Sequence, residues 1–372
     1  MLSKITISKK LLRELDFTVI IAVVLIVLFG TMNIYSATHL RYGNSIMRAQ
    51  LIWLVIGLIL TYFILVFDYS IIQGYANIIY WFGIFLLILN DTIFKSTVNG
   101  ASSWMKIGGF SMQPSEFAKL GMIIMLAKQL DSMDGKINNV KNFFKLAAYA
   151  ALPMLLIVIQ PDMGMTMVCF FIVLGIFFAA GLDLKIIGGG FMSLIALVAI
   201  VWNSSLMQDY WKNRLISFIN PDAYDLGISY QLKQSQIGIG SGGIFGKGFL
   251  KGTQIAGGFI PEAHTDFIFS VVGEEWGLVG AIILLVLYGI IIYKFIKIAQ
   301  NSKDRFGSII CVGVVSTMLF SILQNIGMTI GLVPITGITL PFMSYGGSSM
   351  LTAFMSLGLV LNIGMRKKKI NF

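Results

Sequence analysis

Five carboxylates and one lysine fall inside or at the edges of long apolar runs, where an ionised group is costly and marks a function by default. Glu116 lies in Gln113-Pro114-Ser115-Glu116-Phe117-Ala118-Lys119, which reads as a helix start, with Pro near the first helical position and an acid in the first turn. The three-residue spacing puts Glu116 and Lys119 on one helix face as an ion pair. Two readings remain open for it: a structural pair in a capped helix, or a binder of a polar headgroup. Asp162, in Gln160-Pro161-Asp162-Met163-Gly164, sits at a tight turn between two apolar runs. It reads as a turn residue, or as a carboxylate facing the same cavity as Glu116. Asp266 closes Ile260-Pro261-Glu262-Ala263-His264-Thr265-Asp266 just before another apolar run. A helix N-cap accounts for Asp266 alone, but not for Glu262 before it or Glu274 and Glu275 after it.

Glycine-rich chemistry is suggested by Gly238-Ile239-Gly240-Ser241-Gly242-Gly243, a formal G-x-G-x-x-G. No βαβ pattern surrounds it, and Gly246-Lys247-Gly248 fails the Walker pattern, so nucleotide binding is rejected. The segment is then either a bland flexible loop or a cradle whose backbone N–H groups hold an anion beside Lys247 and Lys251. His264 is one of only two histidines, so no histidine metal cluster is available. Farther on, Val333-Pro334-Ile335-Thr336-Gly337 and Leu340 to Ser349 are apolar segments broken by Pro and Gly. Irregular backbone of that kind at membrane depth must line a cavity inside the protein.

The elements that would position these groups are membrane helices. Of the 372 residues, 57% are hydrophobic and 12% charged, about half the charge of a soluble domain, with mean hydropathy +0.85. That composition excludes a cytosolic enzyme, a disordered chain and a disulfide-built secreted scaffold, and Cys169 and Cys311 read as small core residues. Ten apolar runs fit the length of a span: Phe17 to Tyr35, Leu51 to Phe67, Ile71 to Leu89, Phe117 to Leu130, Phe144 to Ile159, Met165 to Gly181, Ile186 to Trp202, Trp276 to Phe295, Ile309 to Leu332 and Ser348 to Met365. The first run is expected to be an uncleaved span rather than a signal peptide. With the amino terminus inside, 17 basic residues fall on the cytoplasmic side and only Arg41, Arg48, Lys95 and Lys106 in short outer loops. The expected architecture is therefore all-α, ten transmembrane helices in a single domain over 1–372, both termini cytoplasmic, and one large outer loop at about 203–275 between spans 7 and 8. The net charge of +10 is accounted for by orientation and inner-leaflet lipid, not by nucleic acid. A single helix running from this loop to Phe295 would be about 45 Å long, against a hydrocarbon core of about 30 Å, so part of it is expected to bend or to lie in the interface.

With these motifs in this order the chain resembles the SEDS family (shape, elongation, division and sporulation) over nearly its whole length. The resemblance is carried by Tyr35-Ser36-Ala37, Gln113 to Leu120, Gln160 to Gly164, Arg214 with Phe218 and Pro221, Tyr230-Gln231, Gln234-Ser235, Gly240 to Gly248, Pro261 to Phe269 and Pro341 to Ser349. The stretch from Ser103-Trp104-Met105-Lys106 to Gln113 resembles the rod-elongation branch more than the division branch, a sporulation paralogue being the further alternative. Trp276 departs from the family's smaller residue after the paired acids.

The resemblance implies a membrane glycosyltransferase of the bacterial cytoplasmic membrane, with its site facing outward, that polymerises lipid II into peptidoglycan strands. It implies Asp266 as the catalytic aspartate, acting as general base on the GlcNAc 4-hydroxyl that attacks C1 of MurNAc. Undecaprenyl pyrophosphate would leave, met by Lys119, Arg214, Lys247 and Lys251, with Glu116, Asp162, Gln231 and His264 as further substrate-binding positions. No cofactor is required by this reading; a divalent cation on Glu116, Asp162 or Asp266 is a possible helper. The implied partners are the growing lipid-linked strand, membrane lipid and a class B penicillin-binding protein. The competing functions are a lipid II flippase, and a scaffold that only positions a transpeptidase.

Overall fold

A computed structural model describes residues 8–98, 101–107, 110–202, the single positions Lys212, Arg214, Ile216 and Phe218, and 228–367. The chain is mostly helical. A short α1 (Lys9–Arg13) leads into α2 (Phe17–Tyr42), α3 (Ser45–Val66) and α4 (Tyr69–Thr92), followed by a small sheet of β1 (Lys95–Val98), β2 (Ala101–Ile107) and β3 (Phe110–Met112). Next come α5 (Pro114–Ser132), α6 (Val140–Ile159), α7 (Met163–Ala179) and α8 (Leu184–Trp202). After position 227 come α9 (Ile228–Gly242), α10 (Thr253–Ala256), α11 (Ile268–Gln300), α12 (Arg305–Ile330) and α13 (Gly347–Met365). Among the described residues seven helices, α2, α3, α4, α6, α11, α12 and α13, are long and apolar enough to cross a bilayer.

Each of the ten expected runs overlaps a helix, but all the helices except α2 start earlier than hydropathy suggests. Capping residues explain the difference: Asp68, Asn139 and Asp304 each accept a backbone N–H one or two positions inside the next helix and begin the turn before the apolar residues arrive. Asn139 and Asp304 are polar, so a hydropathy ruler passes over them. The same blindness hid the sheet. Its strands run antiparallel in the order β1-β2-β3, with Met105 opposite Met112 and Ile107 opposite Phe110. They carry Ser and Lys at a spacing too short and too polar to register as spans. Met105 is fully buried, which anchors the sheet over the ends of α4 and α5.

The buried apolar residues form one contiguous cluster, and α5 and α12 run through it. Gly83 lets α4 close onto α5, since a Cβ there would lie 2.9 Å from Ala118 Cα. On the opposite side α13 packs on α3, where Thr61 Oγ1 donates to the Phe354 carbonyl at 3.0 Å. The rim of the bundle is apolar and exposed, as at Ile52, Ile78 and Leu323, the surface of a protein solvated by lipid.

Two expectations about the outer segment resolve differently. Pro221 and most of 203–227 lie outside the described residues. The glycine-rich stretch is not a loose cradle: Gly238 to Gly242 close α9, and the N–H groups of Gly246, Lys247 and Gly248 donate to the carbonyls of Gly242, Glu274 and Glu275. Those donors are consumed, so an anion cradle there is corrected. The expected bend is present, at Gly277 (φ 64°, ψ −158°), where α11 breaks. Only glycine fits: a Cβ would strike the Ile244 carbonyl at 2.6 Å and the Gly243 carbonyl at 2.8 Å, because Gly243 to Gly246 cross the break. Leu278 N and Val279 N, which would lack partners in a broken helix, donate to Gly243 O and Ile244 O.

Gly277→Ala is expected to abolish monodisperse protein in detergent or lower its thermal midpoint by many degrees. Gly289→Ala, at an open helical position of α11, should leave the midpoint unchanged or slightly raised. Equal behaviour of the two variants would contradict the crossing at Gly277.

Candidate functional site

A cavity of about 260 Å³ opens among α5, the start of α7, α12, α13, the turn before α11 and the broken segment 336–346. Its walls gather residues far apart in sequence: Glu116, Lys119, Asp162, Arg214, Glu262 and Asp266. The β2 residues Ser103 and Trp104 roof one side. Five expected site residues therefore meet in one place: Asp266, Glu116, Lys119, Asp162 and Arg214. Gln231, His264, Lys247 and Lys251 do not line it.

Glu116 and Lys119 form the expected pair, Nζ to Oε2 at 2.8 Å, at 7% and 11% side-chain exposure. Pro114 at the start of α5 sets their turn, and the Gln113 N–H donates to Ser348 Oγ at 3.0 Å. Thr352, which sequence reasoning missed, donates its hydroxyl to the same Glu116 oxygen at 2.6 Å. The carboxylate is thus held by a cation and a hydroxyl, which is what a buried charge needs. The ammonium of Lys119 remains at the cavity wall.

Asp162 fulfils both of its readings. Its Oδ1 accepts the Met165 N–H at 2.9 Å and starts α7, while Gln113 Nε2 donates to Oδ2 at 3.1 Å. Burial raises its pKa, opposed by the Met165 N–H, by the side chains of Ser103 and Gln113, and by the charge of Arg214.

Asp266 is not an N-cap. Helix α11 starts after Phe267 with no side-chain cap, so the carboxyl is left for the cavity. Burial pushes its pKa up to about 7; Glu262 and Asp162 push the same way, and Arg214 opposes them. Opposite it is Gly337 (φ +72°), where a Cβ would come to 3.2 Å from Asp266 Oδ2. The Thr336 hydroxyl lies on the same wall, buried and without a hydrogen-bond partner among the described residues. Arg214 Nη1 donates to the Ile335 carbonyl at 3.1 Å, which brings its guanidinium to this wall.

Of the remaining candidates, Lys247 and His264 have other partners. Lys247 Nζ binds Glu274 Oε1 at 2.7 Å, and that fully buried carboxylate also accepts from Thr253 Oγ1 at 3.1 Å and from the N–H groups of Gln254 and Ile255 at 2.9 and 3.2 Å. Glu275 accepts from Ser36 of α2. The paired acids therefore tie the outer segment to α11, and Lys247 is a strut. Trp276, the departure noted above, packs edge-on against Phe29 at 5.2 Å and tilted against Phe249 at 6.2 Å, within this tie. The His264 carbonyl accepts the Tyr345 N–H at 3.0 Å and its ring lies 6.0 Å from the Tyr345 ring, so His264 acts on the cavity through Tyr345. Among the described residues no three His, Cys, Asp or Glu side chains cluster as metal ligands would. The carboxylates of Glu116, Asp162 and Asp266 face a shared space as separate groups.

Chemically, the cavity offers a carboxyl whose pKa burial pushes up to about 7 and two cations at its walls. The mouth combines polar groups with apolar broken segments, suited to a ligand with a charged head and an apolar tail.

A family model described as cell cycle protein, built on FtsW, RodA and SpoVE, matches residues 13–369. The chain is 33% identical over 358 residues to the peptidoglycan glycosyltransferase MrdB of Escherichia coli (strain K12), covering 96% of this chain and 95% of that one. It is 35% identical over 356 residues to the stage V sporulation protein E of Bacillus subtilis (strain 168), covering 94% and 96%. Among solved structures, a chain of a peptidoglycan synthase complex that coordinates polymerization and crosslinking superposes with a TM-score of 0.82 at 29% identity, covering 94% of this chain and 97% of that chain. The rod shape determining protein RodA of Thermus thermophilus superposes with a TM-score of 0.72 at 28% identity, covering 95% and 98%.

Lys119→Met leaves the Glu116 carboxylate buried without its cation and is expected to cost about 3–5 kcal/mol of stability. Adding Glu116→Gln should restore most of the thermal midpoint. A double variant no more stable than Lys119→Met would show that the pair is not coupled.

Proposed function

The chain belongs to the FtsW, RodA and SpoVE family of cell cycle proteins, and on that premise we propose that it is a peptidoglycan glycosyltransferase that polymerises lipid II. The observation that carries the reading is Asp266: a carboxyl with no capping duty, facing a cavity walled by Lys119 and Arg214, with its pKa pushed up to about 7. A base whose pKa lies near the working pH is both deprotonated and able to take a proton.

In the reaction, the Asp266 carboxylate accepts the proton of the GlcNAc 4-hydroxyl of lipid II. The hydroxyl oxygen forms a bond to C1 of the MurNAc at the end of the lipid-linked strand. The C1–oxygen bond to the pyrophosphate breaks, and undecaprenyl pyrophosphate leaves with the electron pair. Lys119 and Arg214 are the cations placed to meet that charge; Lys247 and Lys251 stand outside the cavity and are set aside from this role. Substrates that stay tethered to lipid favour a site reached from the bilayer, and the broken segment 336–346 gives the prenyl tails a lateral path.

Ten spans in one polytopic domain, with both termini cytoplasmic and the cavity facing outward, is the topology consistent with the charge distribution and the helix order. The rod-elongation branch is supported by the likeness to the Thermus thermophilus RodA, and the likeness to a synthase complex supports a class B penicillin-binding protein as partner.

Purified protein supplied with lipid II should yield glycan strands, and Asp266→Asn should yield none while retaining its thermal midpoint and partner binding. Undiminished polymer from that variant would refute the base assignment and favour a scaffold. Transport of lipid II without polymer would favour a flippase. The rate should also depend on pH in the direction set by a base: low below pH 6, rising through an inflexion at about 7 and flat above 8. A rate that falls over that interval would contradict a carboxylate base.

A further inference from the structure

Between the end of α12 and the start of α13 the chain is irregular from 332 to 340, and its carbonyls have no helix or strand to satisfy them. Side chains do so instead. Gln324 Nε2 donates to the Pro334 carbonyl at 2.8 Å, and Arg214 Nη1 to the Ile335 carbonyl at 3.1 Å. Asn325 Nδ2 donates to the Ile338 carbonyl at 2.7 Å, and also to the backbone carbonyl of Asp266 at 2.7 Å. Asn325 is fully buried. Only the amide nitrogen can face two carbonyl oxygens, so the orientation of the group is fixed. Its own Oδ1 is buried with no hydrogen-bond partner among the described residues, a cost accepted for the two bonds on the other side.

The consequence is geometric. One planar amide joins the residue that carries the reacting carboxyl to the strand of backbone that faces it. Gly337, whose missing Cβ makes room for Asp266 Oδ2, is the neighbour of Ile338, so the staple sets the gap between carboxyl and wall. Among the described residues no other group holds the Asp266 carbonyl. Because α11 has no side-chain cap, the turn before it depends on bonds from outside the helix.

We propose that Asn325 is a positioning residue, one that fixes the reach and direction of the Asp266 carboxyl through its main chain without touching substrate. The inference rests on Asp266 being the base. Loss of the staple lets the turn at 262–267 move away from segment 335–338, and a displacement of about 1 Å at a reacting group costs on the order of 100-fold in rate. It also lets water reach the carboxyl. The charged groups facing Asp266 are Glu262 on its own turn, Arg214 and, across the cavity, Asp162; all three remain when Asn325 is changed.

The test uses the full chain with lipid II and four variants. Asn325→Leu keeps size and removes both donors; Asn325→Ser removes them without bulk. Gln324→Leu removes the neighbouring bond to Pro334, which does not involve Asp266, and Asp266→Asn reports on the base itself. The expected result for either Asn325 variant is kcat lowered by about 10- to 100-fold with KM within about twofold. The pH inflexion is expected to move to lower pH as the carboxyl gains water. Gln324→Leu should lower the thermal midpoint and leave the inflexion in place. If Asp266→Asn is inactive while both Asn325 variants keep the wild-type inflexion and lose no more kcat than Gln324→Leu, the positioning role is overturned and the base assignment stands. If Asp266→Asn retains polymer, the base assignment is what fails. Failure of both Asn325 variants to give monodisperse protein, with Gln324→Leu folded, would assign Asn325 to the fold alone and overturn the proposal.

Discussion

Every backbone N–H and C=O that leaves a helix inside hydrocarbon must find a partner within the protein, since an unsatisfied group costs several kcal/mol there. The structure around the cavity follows from that constraint. Helix α11 breaks at Gly277, and the freed N–H groups of Leu278 and Val279 are taken up by the carbonyls of Gly243 and Ile244. Segment 332–340 leaves the helical bundle, and Gln324, Asn325 and Arg214 supply the donors its carbonyls require. Interrupted backbone is what allows polar groups and apolar segments to line the same cavity. Those interruptions are tolerated because Gln324 and Asn325 of the buried α12, Arg214, and the backbone carbonyls of Gly243 and Ile244 meet them.

Buried charge obeys the same logic with larger stakes. Glu116 and Glu274 are both deep, and each is matched by a lysine and further donors, Thr352 for Glu116 and two backbone N–H groups with Thr253 for Glu274. Their partners differ in consequence. The Glu274 cluster ties the outer segment to α11 away from the cavity, whereas the Glu116 pair sits in the cavity wall. Asp266 is the exception: among the described residues it has neither a cap to make nor a paired cation, and burial with Glu262 and Asp162 pushes its pKa up to about 7. The group least served by the fold is the one best suited to move a proton.

Much of this was legible in the sequence. The low charge content made each intramembrane carboxylate conspicuous, and the Pro114 start with its three-residue spacing predicted the Glu116–Lys119 pair that is found at 2.8 Å. The length of the run to Phe295 called for a bend or an interfacial stretch, and the chain bends at Gly277. Other features left no readable trace. The sheet of 95–112 is short and polar, and carries no hydropathy signal. Lys247 looked like an anion binder because a glycine-rich setting and a cation suggest one, but Glu274, 27 residues away, claims it. Thr352 and Asn325 are unremarkable polar residues within apolar helices until their partners, 236 and 59 residues away, are known.

The sequence by itself determined the apolar solvent, the succession of helices, and which ionisable groups were out of place. These are local or summed properties, set by apolar length, capping residues and charge count along the chain. Only the tertiary structure decided which of those groups meet. Whether a buried charge is a strut or part of a site depends on whether a complementary donor from a distant helix reaches it first, and packing of α5, α11, α12 and α13 settles that competition. It gave Lys247 to Glu274, kept Lys119 at the cavity wall, and left the Asp266 carboxyl facing open space.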